Sequence, residues 1–79
     1  MSRLKYKNIK TNEVVFAERL NTSGNFDILT EYGFKSIEVN NNQFLISHIN
    51  EYDLIIKQSV IDEIQFNSTY SPVKQLLKD

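Results

Sequence analysis

Few side chains in this chain are equipped for chemistry. Its 79 residues include one histidine, His48, no cysteine, and ten carboxylates scattered along the length. A zinc centre needs three or four nitrogen or sulfur ligands, and one imidazole supplies one. No Ser or Thr stands at a motif spacing from His48 that would build a nucleophile and its base. His48 shares a strand face with Phe44 and Ile46, so it reads as a hydrogen-bonded core or interface residue rather than a general base. Asp62-Glu63 is the one adjacent pair of acids. On a strand its side chains point to opposite faces and cannot act together on one bond. Glu51 and Asp53 share a face and read as a solvated hairpin end. Gly24 and Gly33 are the only glycines, and neither lies in a phosphate-cradling pattern. Tyr6, Tyr32, Tyr52 and Tyr70 are open to stacking, but half-buried sheet tyrosines are commoner. The residues point away from an enzyme and imply neither cofactor nor metal.

The elements that would position these groups are mostly strands. From Ser36 to Phe66 the chain is rich in β-branched and aromatic residues, punctuated by Asn40-Asn41-Asn42, Asn50-Glu51 and Gln58-Ser59. This predicts strands over Ser36–Val39, Gln43–Ile49, Tyr52–Lys57 and Val60–Phe66. A two-residue turn at Asn41-Asn42 would set Val39 opposite Phe44 and Ile37 opposite Ile46. Val14-Val15-Phe16-Ala17 is apolar on both faces and predicts a central strand through Leu20. Leu4-Lys5-Tyr6-Lys7 predicts an edge strand guarded by its lysines. Asn25 as N-cap, Asp27 in the first turn and Gly33 as terminator predict a helix over Phe26–Tyr32. Ser71-Pro72 predicts the start of a short C-terminal helix. The expected class is α+β: a small antiparallel sheet of about five strands, one short helix packed on it, and the C-terminal helix. The expected core is Val14, Phe16, Phe26, Leu29, Ile37, Val39, Phe44, Ile46, Leu54, Ile56, Ile64 and Phe66.

Length and composition bound the rest. Residues 1–79 make one domain. A chain this short has a small stability margin, and without cysteine it gains burial from a well-filled core or from a partner subunit, here a homodimer. No apolar run approaches the roughly 20 residues of a membrane span, and no signal-peptide core is present. These features fit the cytoplasm of a bacterial cell. Net charge is −1, but unevenly placed. Residues 1–10 hold Arg3, Lys5, Lys7 and Lys10 with no acid, whereas residues 11–70 hold three basic residues against nine acids, a net of −6. So acidic a body is a poor general binder of phosphate backbones. Tyr52–Lys57 and Val60–Phe66, joined at Gln58-Ser59, would bring Asp53 and Glu63 within about one residue of opposition. Glu51, Asp53, Asp62 and Glu63 therefore form the candidate contact for a partner with a basic surface.

From Val14 to Val73 the order of signals resembles a family of small, mostly uncharacterised bacteriophage and prophage proteins. The matching residues are Val14-Val15, Thr22, Asn25, Asp53-Leu54-Ile55-Ile56-Lys57, Phe66, Thr69, Tyr70, Pro72 and Val73. They echo a strand reading Gly-Asp-aromatic-Ile-Ile-Lys-Gly and a closing Phe-x-x-Thr-Tyr-x-Pro segment. This chain has Tyr52 and Gln58 where the family has glycines, and it lacks the family's Phe-Tyr-Pro-Cys-Lys-Pro segment. The resemblance implies an origin and a fold, and brings no known activity. The expected function is a phage or prophage accessory protein that binds and inhibits a bacterial host protein, a CRISPR-type defence nuclease being one such target. The alternative is a small nucleic-acid-binding module using the basic N-terminal arm and sheet tyrosines.

Overall fold

The computed structural model describes residues 4–73. The elements run β1 (Leu4–Asn8), β2 (Val14–Arg19), β3 (Gly24–Thr30), β4 (Gly33–Val39), β5 (Gln43–Ile49), β6 (Ile55–Asp62), α1 (Glu63–Thr69) and β7 (Tyr70–Pro72). Five strands form one antiparallel sheet in the order β6-β5-β2-β1-β7, and β3 pairs with β4 as a separate two-stranded sheet. The described protein is thus mostly antiparallel sheet with one short helix.

Apolar residues on both faces of the β2–β5 pair set the layering. Val15 and Ala17 lie with Ile46 and Phe66 in one buried cluster, joined by Tyr6, Phe44, Ile61 and Tyr70. Here α1 closes one face of the large sheet with a single side chain, Phe66, stacked on Phe44 at 4.0 Å and meeting Tyr6 edge-on at 4.9 Å. Leu20 and Leu45 lie on the opposite face with Ile28 and Val39, and Phe26, Ile37 and Val60 pack against them. There the β3–β4 hairpin is the cover. Leu20 N–H donates to the Gln43 carbonyl at 2.9 Å, so the hairpin is an excursion out of an otherwise continuous β2–β5 pairing.

Several sequence expectations are corrected. Phe26–Tyr32 is strand β3 and its turn, not a helix. Phe26 and Ile28 alternate with Asn25 and Asp27, and pairing with β4 from Gly24↔Val39 to Thr30↔Gly33 satisfies a backbone that an isolated two-turn helix would hold only marginally. Gly33, at φ 106°, serves a tight turn instead of a helix end. The Thr30 hydroxyl fastens that turn, accepting from Tyr32 N–H at 3.1 Å and donating to the Gly33 carbonyl at 2.7 Å. Because β4 pairs with β3, Val39 faces Gly24 and Ile37 faces Phe26, and the 40–42 turn joins two sheets rather than two paired strands. Gln58 and Ser59 lie mid-strand, opposite Ser47 and Ile46. The β5–β6 turn sits earlier, where the Asn50 side chain accepts from Tyr52 and Leu54 N–H at 2.8 and 3.0 Å and Asp53 takes φ 63°. A bulge follows: His48 pairs with Lys57 and Ile49 with Ile55, which leaves Ile56 unopposed. Leu54, Ile56 and Ile64 are accordingly exposed rather than core.

Val60–Phe66 is split. Asp62 ends β6 and caps α1, its carboxylate accepting from Gln65 N–H at 2.8 Å. Glu63 follows in the first turn, where the helix dipole favours an anion. Leu4-Lys5-Tyr6-Lys7 is a strand, but not an edge, because Ser71 and Pro72 in β7 pair with Lys7 and Tyr6. Ser71-Pro72 therefore extends the sheet, and Val73 N–H continues the pairing to the Lys5 carbonyl at 3.1 Å. The remainder of the expected C-terminal helix lies outside the described residues.

The helix supplies the sharpest check on this packing. Phe66 is 4% exposed and its neighbour Ile64 is 82% exposed. Phe66→Ala should cost about 3–5 kcal/mol in chemical denaturation, and Ile64→Ala less than about 0.5 kcal/mol. Equal losses would contradict the helical reading of residues 63–69.

Candidate functional site

The four acids expected to dock a partner do not meet. Glu51 and Asp53 sit in the β5–β6 turn, whereas Asp62 and Glu63 sit at the far end of β6. The intervening strand is eight residues long, roughly 25 Å. Three of the four are already engaged within the chain. Asp53 pairs with Lys5 at 3.2 Å, Glu63 with Arg19 at 2.9 Å, and Asp62 caps α1. The Arg19 guanidinium also lies over the Phe44 ring, 4.8 Å from its centroid. These acids tie the sheet's turns and helix to its interior strands, and Glu51 is exposed with no such partner among the described residues.

His48 is bound as its strand position implies. Its Nδ1 lies 2.9 Å from a Glu13 carboxylate oxygen, and its side chain is 17% exposed. A carboxylate on Nδ1 orients an imidazole so that Nε2 can accept a proton. The residues opposite His48 on the adjoining strands are Val15 and Lys57, which offer no hydroxyl or thiol for it to activate. Nearby, burial pushes the Tyr70 phenol above the ordinary tyrosine value; a hydrogen bond from the Asn8 side chain opposes that shift, and the Glu13 charge adds to it. Among the described residues, no group of three or more His, Asp or Glu side chains could hold a metal ion. A cleft of about 440 Å³ lined by Asn8, Lys10, Thr11, Ser68 and Thr69 lies beside this end of the sheet. Among its described lining residues Lys10 is the cation, and Ser68 and Thr69 belong to the C-terminal end of α1.

The hairpin gathers the surface that the four acids do not make. Phe26, Ile28, Ile37 and Val39 turn inward. Cross-strand partners share a face, so Asn25 with Glu38, Asp27 with Ser36, and Leu29 with Phe34 form the outward face. Tyr32 at the turn is 94% exposed and Phe34 is 75% exposed. Asp27, Glu31 and Glu38 are exposed around them and form no ion pair with any described residue. Lys35, opposite Ile28, is on the other face. Two uncovered aromatic rings thus share the hairpin with three exposed carboxylates that have no ion-pair partner among the described residues. The sequence carries this signal in the alternation of Phe26 and Ile28 with Asn25 and Asp27. A helical reading of that stretch hides it by scattering the acids around a cylinder.

The hairpin is also held in place. The Gln58 side chain in β6 accepts from Leu29 N–H of β3 at 3.0 Å and donates to the Ser47 hydroxyl of β5 at 3.0 Å. Ser47 is 2% exposed and is thereby satisfied.

The two ion pairs make charge reversal at Asp53 and Glu63 a test of the fold. Asp53→Lys would face Lys5, and Glu63→Lys would face Arg19. Each should lower stability by about 0.5–1 kcal/mol in urea denaturation, an effect that shrinks as salt is raised. Unchanged or improved stability would mean that these ion pairs are not formed in solution. No family model, no curated protein and no solved structure matches this chain, so its function is argued from this geometry.

Proposed function

We propose that this chain is a small phage or prophage accessory protein that binds a bacterial host protein and inhibits it, a CRISPR-type defence nuclease being a fitting target. It acts in the cytoplasm of the host cell by occupying a surface, without turnover, cofactor or metal. The observation that carries this reading is the outward face of the β3–β4 hairpin, with Tyr32 and Phe34 uncovered among Asp27, Glu31 and Glu38. Exposed aromatic side chains are the usual anchors of protein interfaces. Acids on the same hairpin with no ion-pair partner among the described residues favour a basic partner and speed its approach. A nucleic-acid channel on a nuclease is such a surface. The docking face is therefore the hairpin, in place of the group Glu51, Asp53, Asp62 and Glu63.

The test uses the full chain as bait against host lysate, followed by binding kinetics with the protein retained. Tyr32→Ser with Phe34→Ser alters only outward side chains and should leave the circular dichroism spectrum unchanged. It should weaken binding by about 30-fold or more, the scale of losing one interface hot spot. Asp27→Lys with Glu38→Lys should slow association and flatten its salt dependence. Binding at the wild-type level by the aromatic variant would overturn the reading. So would salt-sensitive binding of oligonucleotides that is lost on Lys7→Gln with Lys10→Gln, since that result would support a nucleic-acid module.

A further inference from the structure

We infer that the outer edge of β4 is a self-association site, where a second copy of this chain adds its own β4 antiparallel to the first. The reasoning starts from which way the backbone groups point. Leu29 N–H bonds the Gln58 side chain and so points away from β4. Hydrogen-bonded pairs alternate along an antiparallel ladder, so the β3–β4 bonds run through Phe26↔Ile37 and Ile28↔Lys35. Phe34, Ser36 and Glu38 then aim their N–H and C=O groups outward, and no described hydrogen bond uses those groups. The other edges are guarded. β7 is three residues long and ends in Pro72. β6 has β3 packed close against it, held by the bond from Leu29 N–H to the Gln58 side chain. β4 has seven residues, no proline and no bulge.

The edge is complementary to itself. A two-fold axis at Ser36 sets Ser36 against Ser36 and Phe34 against Glu38, so every outward residue of β4 meets an outward residue and about six backbone bonds close. Moving the axis to Lys35 opposes two lysines, and moving it to Ile37 sets Phe34 against Asn40, beyond the strand. The Ser36-centred pair turns two marginal two-stranded sheets into one of four strands. It also covers part of Phe34 with the Glu38 stem of the other copy. The pair would partly cover Phe34 of the proposed docking face, but it is made by backbone at the strand edge, and the Ser36 variants leave Tyr32, Phe34 and the acids in place, so failure of pairing and failure of docking are distinguishable.

Sedimentation equilibrium of the full chain tests it over roughly 10 µM to 1 mM, a range suited to a small interface. The apparent mass should rise toward twice the monomer value. Ser36→Pro removes an outward N–H and no ladder bond, and should remain monomeric with its circular dichroism preserved. Ser36→Lys keeps the backbone donor, opposes like charges at the two-fold, and should also be monomeric, which covers a folding failure of the proline variant. Ser36→Thr should dimerise as the wild type does. A wild-type mass that stays monomeric throughout, or a dimer that survives Ser36→Lys, would overturn the inference.

Discussion

The Gln58 amide is the constraint on which the two-sheet arrangement depends. It lies between a strand edge and a buried hydroxyl, and each end is occupied: the carbonyl by Leu29 N–H, the amino group by Ser47. An amide taken from water costs free energy unless both its ends are paired. Here the pairing can occur only with β3 seated beside β6. Apolar contact among Ile28, Val39, Leu45 and Val60 supplies area, but area is non-directional. The amide selects the seat. It fixes which residues of β3 face inward, and hence that Asp27, Phe34 and Glu38 face out.

That single selection links the fold to the proposed function. A hairpin sliding by one residue would exchange its faces and bury the acids. Held as it is, it offers aromatic rings and carboxylates on a pre-ordered surface, and binding then loses less to ordering. On the other face of the sheet, Phe66 plays the apolar counterpart. It locks a two-turn helix that could not stand alone by stacking on Phe44 and packing beside Tyr6 and Tyr70. Salt bridges from Lys5 and Arg19 complete the closure at exposed positions, where each contributes little.

What the sequence revealed follows from how local each signal is. β2 and β5 were legible because their apolar density exceeds what a one-sided element needs. His48 was legible as a bonded residue from its strand face, although Glu13 is its partner only through the β2–β5 register. β3 was not legible. Phe26 and Leu29 fit a helical spacing while Phe26 and Ile28 fit a strand, and the choice between them is made by β4 and Gln58, both distant in sequence. α1 was hidden by the opposite ambiguity: Ile64 and Phe66 alternate like strand residues, although Asp62-x-x-Gln65 is a helix-capping pattern in plain view. The four acids read as neighbours because a turn was expected at Gln58-Ser59, whereas the turn is set by the Asn50 side chain, which separates them. The hairpin face was missed with β3 itself.

Amide hydrogen exchange at two residues of β3 tests the central claim, that Gln58 seats the hairpin. Leu29 and Asp27 both point their N–H groups away from β4, and the Leu29 group has the Gln58 carbonyl as its acceptor. Residue-resolved exchange should find Leu29 protected at least tenfold over Asp27, a difference of about 1.4 kcal/mol. In Gln58→Ala that protection should vanish while Ile28, bonded within the hairpin, stays protected. Equal exchange at Leu29 and Asp27 in the wild type would contradict the account, because the hairpin would then not be held where its outward face is defined.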